Sequence, residues 1–150
     1  MKRRKIFRTV LWVLLAAFIG IQFIRIDKTH PPTEAGMDFL ERTNPPEEIA
    51  TLIKNACYDC HSHQTVYPWS SNVAPASWWL ADHIRHARGE MNLSKWGRVP
   101  NRKKSVKLFE MADEVMEENM PLPSYTIMHA KARLTPEQRK MLAEWFESQK

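Results

Sequence analysis

The sequence predicts an all-α protein, with an N-terminal transmembrane helix leading into one helical domain. Three observations carry this reading. A basic start runs into a long apolar stretch, later segments repeat apolar residues at helical spacing between recognisable caps, and no segment alternates in the period of a strand.

Lys2, Arg3, Arg4 and Lys5 precede a run from Val10 to Ile21 in which every residue is apolar or Gly. Ile6, Phe7, Phe23, Ile24 and Ile26 bring the stretch close to the roughly 20 residues a bilayer demands, with Arg8 and Arg25 able to snorkel. A cleaved signal sequence would end in small residues, whereas this one ends Gln22-Phe23-Ile24-Arg25-Ile26. The expectation is an uncleaved anchor over 1–26. Its N-terminus lies inside, because basic residues stay in the cytoplasm, and the rest lies on the outer face of the cytoplasmic membrane.

The net charge of +5 has to be partitioned before it is interpreted. Six of the 22 basic side chains and none of the 17 acidic ones lie in 1–26, which leaves 16 against 17 beyond it. The basicity is therefore a topology signal, and nucleic-acid binding loses its compositional support. Residues 27–43, with Pro31 and Pro32 among polar residues, read as a tether with a short helical piece at 34–42. One domain is expected over 44–150, enough chain for a single core.

Within it, Asn44 is placed to cap a helix opened by Pro45 and Pro46. Glu47 and Glu48 complement the dipole, and Ile49, Leu52, Ile53 and Ala56 form the stripe that leads to Cys57. A loop from Ser62 to Ala74 follows, and Pro75 opens a second helix, Ala76 to Arg88, ending near Gly89. Basic residues oppose the dipole at a helix start, so the third helix is placed after Lys95, Arg98, Arg102 and Lys103, at 104–118. Leu108, Phe109, Ala112, Val115 and Met116 face inward there. Thr135, Pro136 and Gln138 mark the last helix, with Met141, Leu142, Trp145 and Phe146 as its stripe.

The chemistry lies in Cys57-Tyr58-Asp59-Cys60-His61, which holds both cysteines of the chain. CxxCH is the spacing of c-type haem attachment: the thiols add across two vinyl groups, and the adjacent His ligates the iron. Two intervening residues put Cys57 and Cys60 on one face of a helical turn, roughly 5–6 Å apart between Cβ atoms. A thioredoxin-like couple would need a preceding strand. A zinc site would have to crowd its four ligands into 57–63 by drawing on His63, which otherwise reads as a surface residue.

The sixth iron position decides between electron transfer and ligand chemistry. Met120 is the first candidate: Pro121 forces it out of helical geometry, and Pro123 stiffens the loop that presents its sulfur. His129, His83 and His86 are the others. Met111, Met116 and Met141 fall within helix patterns and suit gap filling. The aromatics of the second helix, Trp78 and Trp79, serve either as porphyrin lining or as core.

Taken together, several short runs resemble a bacterial haem-binding domain family of short, often membrane-anchored monohaem proteins with a cytochrome c-like fold. They are Cys57 to His61, Tyr67-Pro68-Trp69, Ala74-Pro75 with Trp78, Leu93-Ser94 with Trp96, Met120-Pro121 with Tyr125 and His129, and Leu134-Thr135 with Trp145. Ser70 departs from the Tyr often found there. The resemblance implies that the domain's first and last helices cross, with haem in a crevice between His61 and Met120. It also implies that the Pro75 carbonyl accepts from His61 and that Trp96 or Tyr125 donates to a propionate.

The function expected is electron transfer by one covalent haem c, anchored by Cys57 and Cys60 and ligated by His61 and Met120. The partners are the membrane and redox proteins; the basic run near Lys103 and Lys104 reads as a solvated face, with a docking patch for an acidic redox partner as the alternative. The alternative is a peroxidase or gas sensor with an open or displaceable sixth site.

Overall fold

The computed structural model describes residues 2–149; Met1 and Lys150, the outermost residues of the expected anchor and domain, lie outside the described residues. Eight α-helices follow in the order α1 (Lys2–Ile21), α2 (Phe39–Thr43), α3 (Glu47–Ala56), α4 (Tyr58–His61), α5 (Ala76–Glu90), α6 (Asn101–Met116), α7 (Pro123–Thr126) and α8 (Pro136–Ser148). Short 3-10 turns stand at Trp69–Asn72, Leu93–Arg98 and Ala130–Ala132, and among the described residues there is no strand.

The expected transmembrane helix is not found. Among the described residues no helix is long and apolar enough to cross a membrane. The reason lies at both ends of α1. It starts on Lys2, Arg3, Arg4 and Lys5 and carries Arg8 a turn later, so its uncharged portion, Thr9 to Ile21, spans about 20 Å where the hydrocarbon core needs about 30 Å. Beyond Ile21 the helix does not continue, because Gln22 turns to the domain. Its side chain accepts from the Ala74 amide at 2.9 Å and donates to the Ala74 carbonyl at 3.1 Å. Trp78 Nε1 donates to the Ile24 carbonyl at 3.0 Å, so this tryptophan holds the incoming chain.

The core begins earlier than expected, inside the segment read as a tether. Asp38 caps α2 by accepting from the Leu40 amide, and Phe39 is fully buried. Asn44 does not cap α3. It adopts a left-handed φ of 44° and closes α2, leaving Pro46 at the start of α3. Phe39 meets Trp96 edge-on at 4.9 Å between centroids and Phe146 at 6.3 Å, so α2, the Leu93–Arg98 turn and α8 share one aromatic cluster. Gly97 permits this approach: its amide donates to the Met37 carbonyl at 2.9 Å, and a Cβ there would stand 2.5 Å from Met37 Sδ. Phe39→Ala should cost about 3–5 kcal/mol of stability, read from denaturant unfolding of the full chain.

α6 begins at Asn101 rather than 104, since Pro100 sets the entry and the basic first turn is solvated. Its buried stripe is Leu108, Met111, Ala112 and Val115, spaced i, i+3, i+4, i+7, while Phe109 and Met116 are exposed. This stripe packs on α8 through Leu142, Ala143 and Phe146, and α8 also packs on α3, the helix that leads into Cys57. The Thr135–Gln138 capping box of α8 forms as its sequence specifies.

Candidate functional site

α3 breaks at Cys57, whose φ of −121° ends the helix, and the chain winds one further turn as α4. The Cys57 carbonyl accepts from the Cys60 amide at 3.3 Å and the His61 amide at 2.9 Å, so both thiols and the imidazole hang from one turn. The cysteines form no disulfide. Burial pushes the Cys57 thiol up to about 12 and the Cys60 thiol up to about 11, which keeps both protonated near neutrality.

The turn is braced from several sides. Asp59 accepts from the Val66 amide at 2.8 Å and from the Tyr125 hydroxyl at 2.6 Å. Arg88 of α5 donates to the Ser62 carbonyl at 2.8 Å and to the Thr65 hydroxyl at 2.9 Å. Tyr58 donates to Asp38 at 2.6 Å, which fastens α4 to α2.

Burial holds the His61 imidazole below its ordinary range, so it is neutral. Its Nδ1 lies 3.2 Å from the Met91 carbonyl. A carbonyl can only accept, so Nδ1 carries the proton and Nε2 keeps the lone pair that a metal takes. The Pro75 carbonyl, expected in this role, instead accepts from the Trp78 and Trp79 amides at the start of α5. Met91 was not singled out in the sequence, although it continues the His83, Ala87 spacing of α5 by one more turn.

Met120 comes from a different part of the chain. After α6, Glu118 takes a left-handed φ of 62°, and the Met120 amide donates back to the Glu114 carbonyl at 3.0 Å. Cys57, His61 and Met120 line one mostly apolar cavity of about 680 Å³, with Met91, Met111 and Phe146 in its wall. That volume suits a bound cofactor, for which roughly 300–1,000 Å³ is usual. Glu90, Glu110, Glu114 and Lys107 also line it. Lys103 and Lys104, read as a solvated face or a docking patch, are not among the lining residues.

The other candidates fall into two groups. His83 and His86 line the same cavity, each with Nδ1 engaged by a carbonyl of its own helix, at 2.9 Å and 2.8 Å. His129 stacks on Tyr125 at 4.0 Å and lines a second cavity of about 510 Å³. Tyr125, committed to Asp59 and to the Asn55 carbonyl, lines that second cavity too, and Trp96 is buried against Phe39. Neither reaches the first cavity, so neither is placed to bind a propionate there. Trp79 packs against His83 at 3.9 Å between ring centroids, tilted by 40°; it is half exposed and is not among the residues that line the cavity. His63 is not a surface residue: it is buried, its amide bonded to Ser94 Oγ and its ring 2.9 Å from the Asn92 side chain. Among the described residues, no three or more His, Cys, Asp and Glu side chains gather as a metal-ion site.

An all-helical domain in which Cys57, His61 and Met120 line one mostly apolar cavity has room there for a bound cofactor. The chain belongs to the haem-binding domain family, whose model matches residues 16–148. Its cofactor is haem. No curated protein and no solved structure matches it.

Proposed function

We propose that Cys57 and Cys60 hold the haem covalently, that His61 and Met120 are its axial ligands, and that the protein carries single electrons between redox partners outside the cytoplasm. The observation that carries this reading is the convergence of Cys57, His61 and Met120 on one cavity from two separate segments. Haem bound there supplies a ferric–ferrous couple, and a thioether ligand favours the ferrous state. The chain's part is to orient His61 through Met91 and to present the Met120 sulfur. The peroxidase alternative finds less support, since no arginine lines the cavity among the described residues to pair with His83 or His86.

Intact-mass and visible spectra of the full chain, matured with haem-attachment machinery, test the proposal. The expected result is the chain plus one haem with a low-spin spectrum indifferent to peroxide and carbon monoxide. A high-spin ferric spectrum that responds to either establishes the alternative, and a mass without haem overturns covalent attachment.

A further inference from the structure

We infer that Arg139 of α8 is a positioning residue for the Met120 sulfur, an inference that rests on the His/Met reading above. Its guanidinium Nη1 donates to the Met120 carbonyl at 2.8 Å and to the Val115 carbonyl at 2.8 Å. One cationic group thus joins the last helix both to the buried end of α6 and to the residue that carries the sulfur.

The Met120 amide is held at its other end by the Glu114 carbonyl at 3.0 Å. With its N–H and its C=O both engaged, the Met120 backbone cannot swing, and only the side-chain torsions remain to be set by the cavity wall. Two features make this clasp more than a surface bond. Arg139 is itself rooted, since it is partly buried and its amide donates to the Thr135 carbonyl at 2.9 Å one turn after the capping box. The turn it closes contains Glu118 at φ 62°, a left-handed conformation that a side chain resists and that neighbouring contacts must hold. A guanidinium suits the task because its planar fork offers donors in fixed directions, whereas a lysine ammonium is a point charge on a flexible stem.

If the clasp opens, the iron–sulfur bond becomes easier to displace, and an outside ligand competes better for the same iron position. Imidazole serves as the probe, titrated into the ferric, haem-loaded full chain, alongside the weak sulfur-to-iron charge-transfer band at the red edge of the spectrum. In Arg139→Met the band should weaken or vanish and imidazole should bind at least about 10-fold tighter. Arg139→Lys, which keeps the charge and a donor nitrogen but on a shorter, more flexible stem without the fixed planar directions, should show a smaller tightening of several-fold. Met120→Ala marks the limit, with no band and the tightest imidazole binding.

The outcomes separate the two claims. If Met120→Ala keeps the band, the His/Met reading fails and this inference with it. If Met120→Ala loses the band while Arg139→Met keeps wild-type band and imidazole affinity, the inference alone is overturned, even where its unfolding midpoint has dropped. Should Arg139→Met not load haem, Arg139→Lys decides: unchanged imidazole affinity overturns the clasp.

Discussion

Replacing Cys57 and Cys60 together with alanine should convert the haem from one that acidified organic solvent leaves on the chain to one that it extracts completely. The neutral His61 and the apolar cavity would remain, so the variant should still take up some haem. Its occupancy after dilution should fall at least about 10-fold, because a thioether-linked group cannot dissociate and an unlinked one obeys mass action. Each single substitution should leave haem attached through the other sulfur, with the visible band of the reduced form shifted toward that of a haem with one free vinyl group. Thiol chemistry supplies a second reading of the same site. With Cys57 pushed up to about 12 and Cys60 to about 11, few thiolates exist at neutral pH in the folded, haem-free chain. Alkylation should then be slow, and it should accelerate as pH rises toward those values, since the thiolate is the nucleophile. Rapid alkylation at neutral pH, or haem retained through acid extraction in the double variant, contradicts the expectation.

How much of this was legible beforehand depended on range. Features fixed by neighbours along the chain could be read: the Thr135–Gln138 box, the α3 stripe ending on Cys57, and the single turn that carries both thiols. Features fixed by packing could not. Phe39 lies in a short segment with a weak periodic signal, and it enters the core because Gly97 leaves room for Met37 beside the Leu93–Arg98 turn. The Pro75 carbonyl and the Met91 carbonyl are equivalent in sequence as acceptors, and only the course of α5 brings Met91 to His61. Arg139 reads as one more polar position on an amphipathic helix. Its role appears when α8 packs on α6 and brings the guanidinium to the end of that helix. The N-terminal helix fails as a membrane span for a local reason that hydropathy of the whole stretch concealed: its basic residues lie within the helix, and Gln22 leaves the helix for Ala74.

Met120→Ala should lower the midpoint potential of the haem by on the order of a tenth of a volt or more, a fraction of the roughly 0.8 V over which axial ligands tune haem iron. The sign follows from the thioether's preference for ferrous iron: removing it destabilises the reduced form, and a histidine or water in its place favours the oxidised one. Three methionines line the cavity, so the assignment needs an argument for this one. Met91 places its carbonyl on Nδ1 of His61, the side of the ring turned away from the metal-binding Nε2. Met111 is buried on the α6 stripe among Leu108, Ala112 and Val115, where a flexible side chain fills space. Met91 also lies just past the end of its helix, but Met120 is the one that reaches the cavity from a separate loop, its amide donating to the Glu114 carbonyl and its carbonyl accepting from Arg139. Met91→Leu and Met111→Leu should therefore leave the charge-transfer band in place and move the potential far less than Met120→Ala. A potential that fell in Met91→Leu or Met111→Leu and held in Met120→Ala would transfer the sixth ligand to that residue.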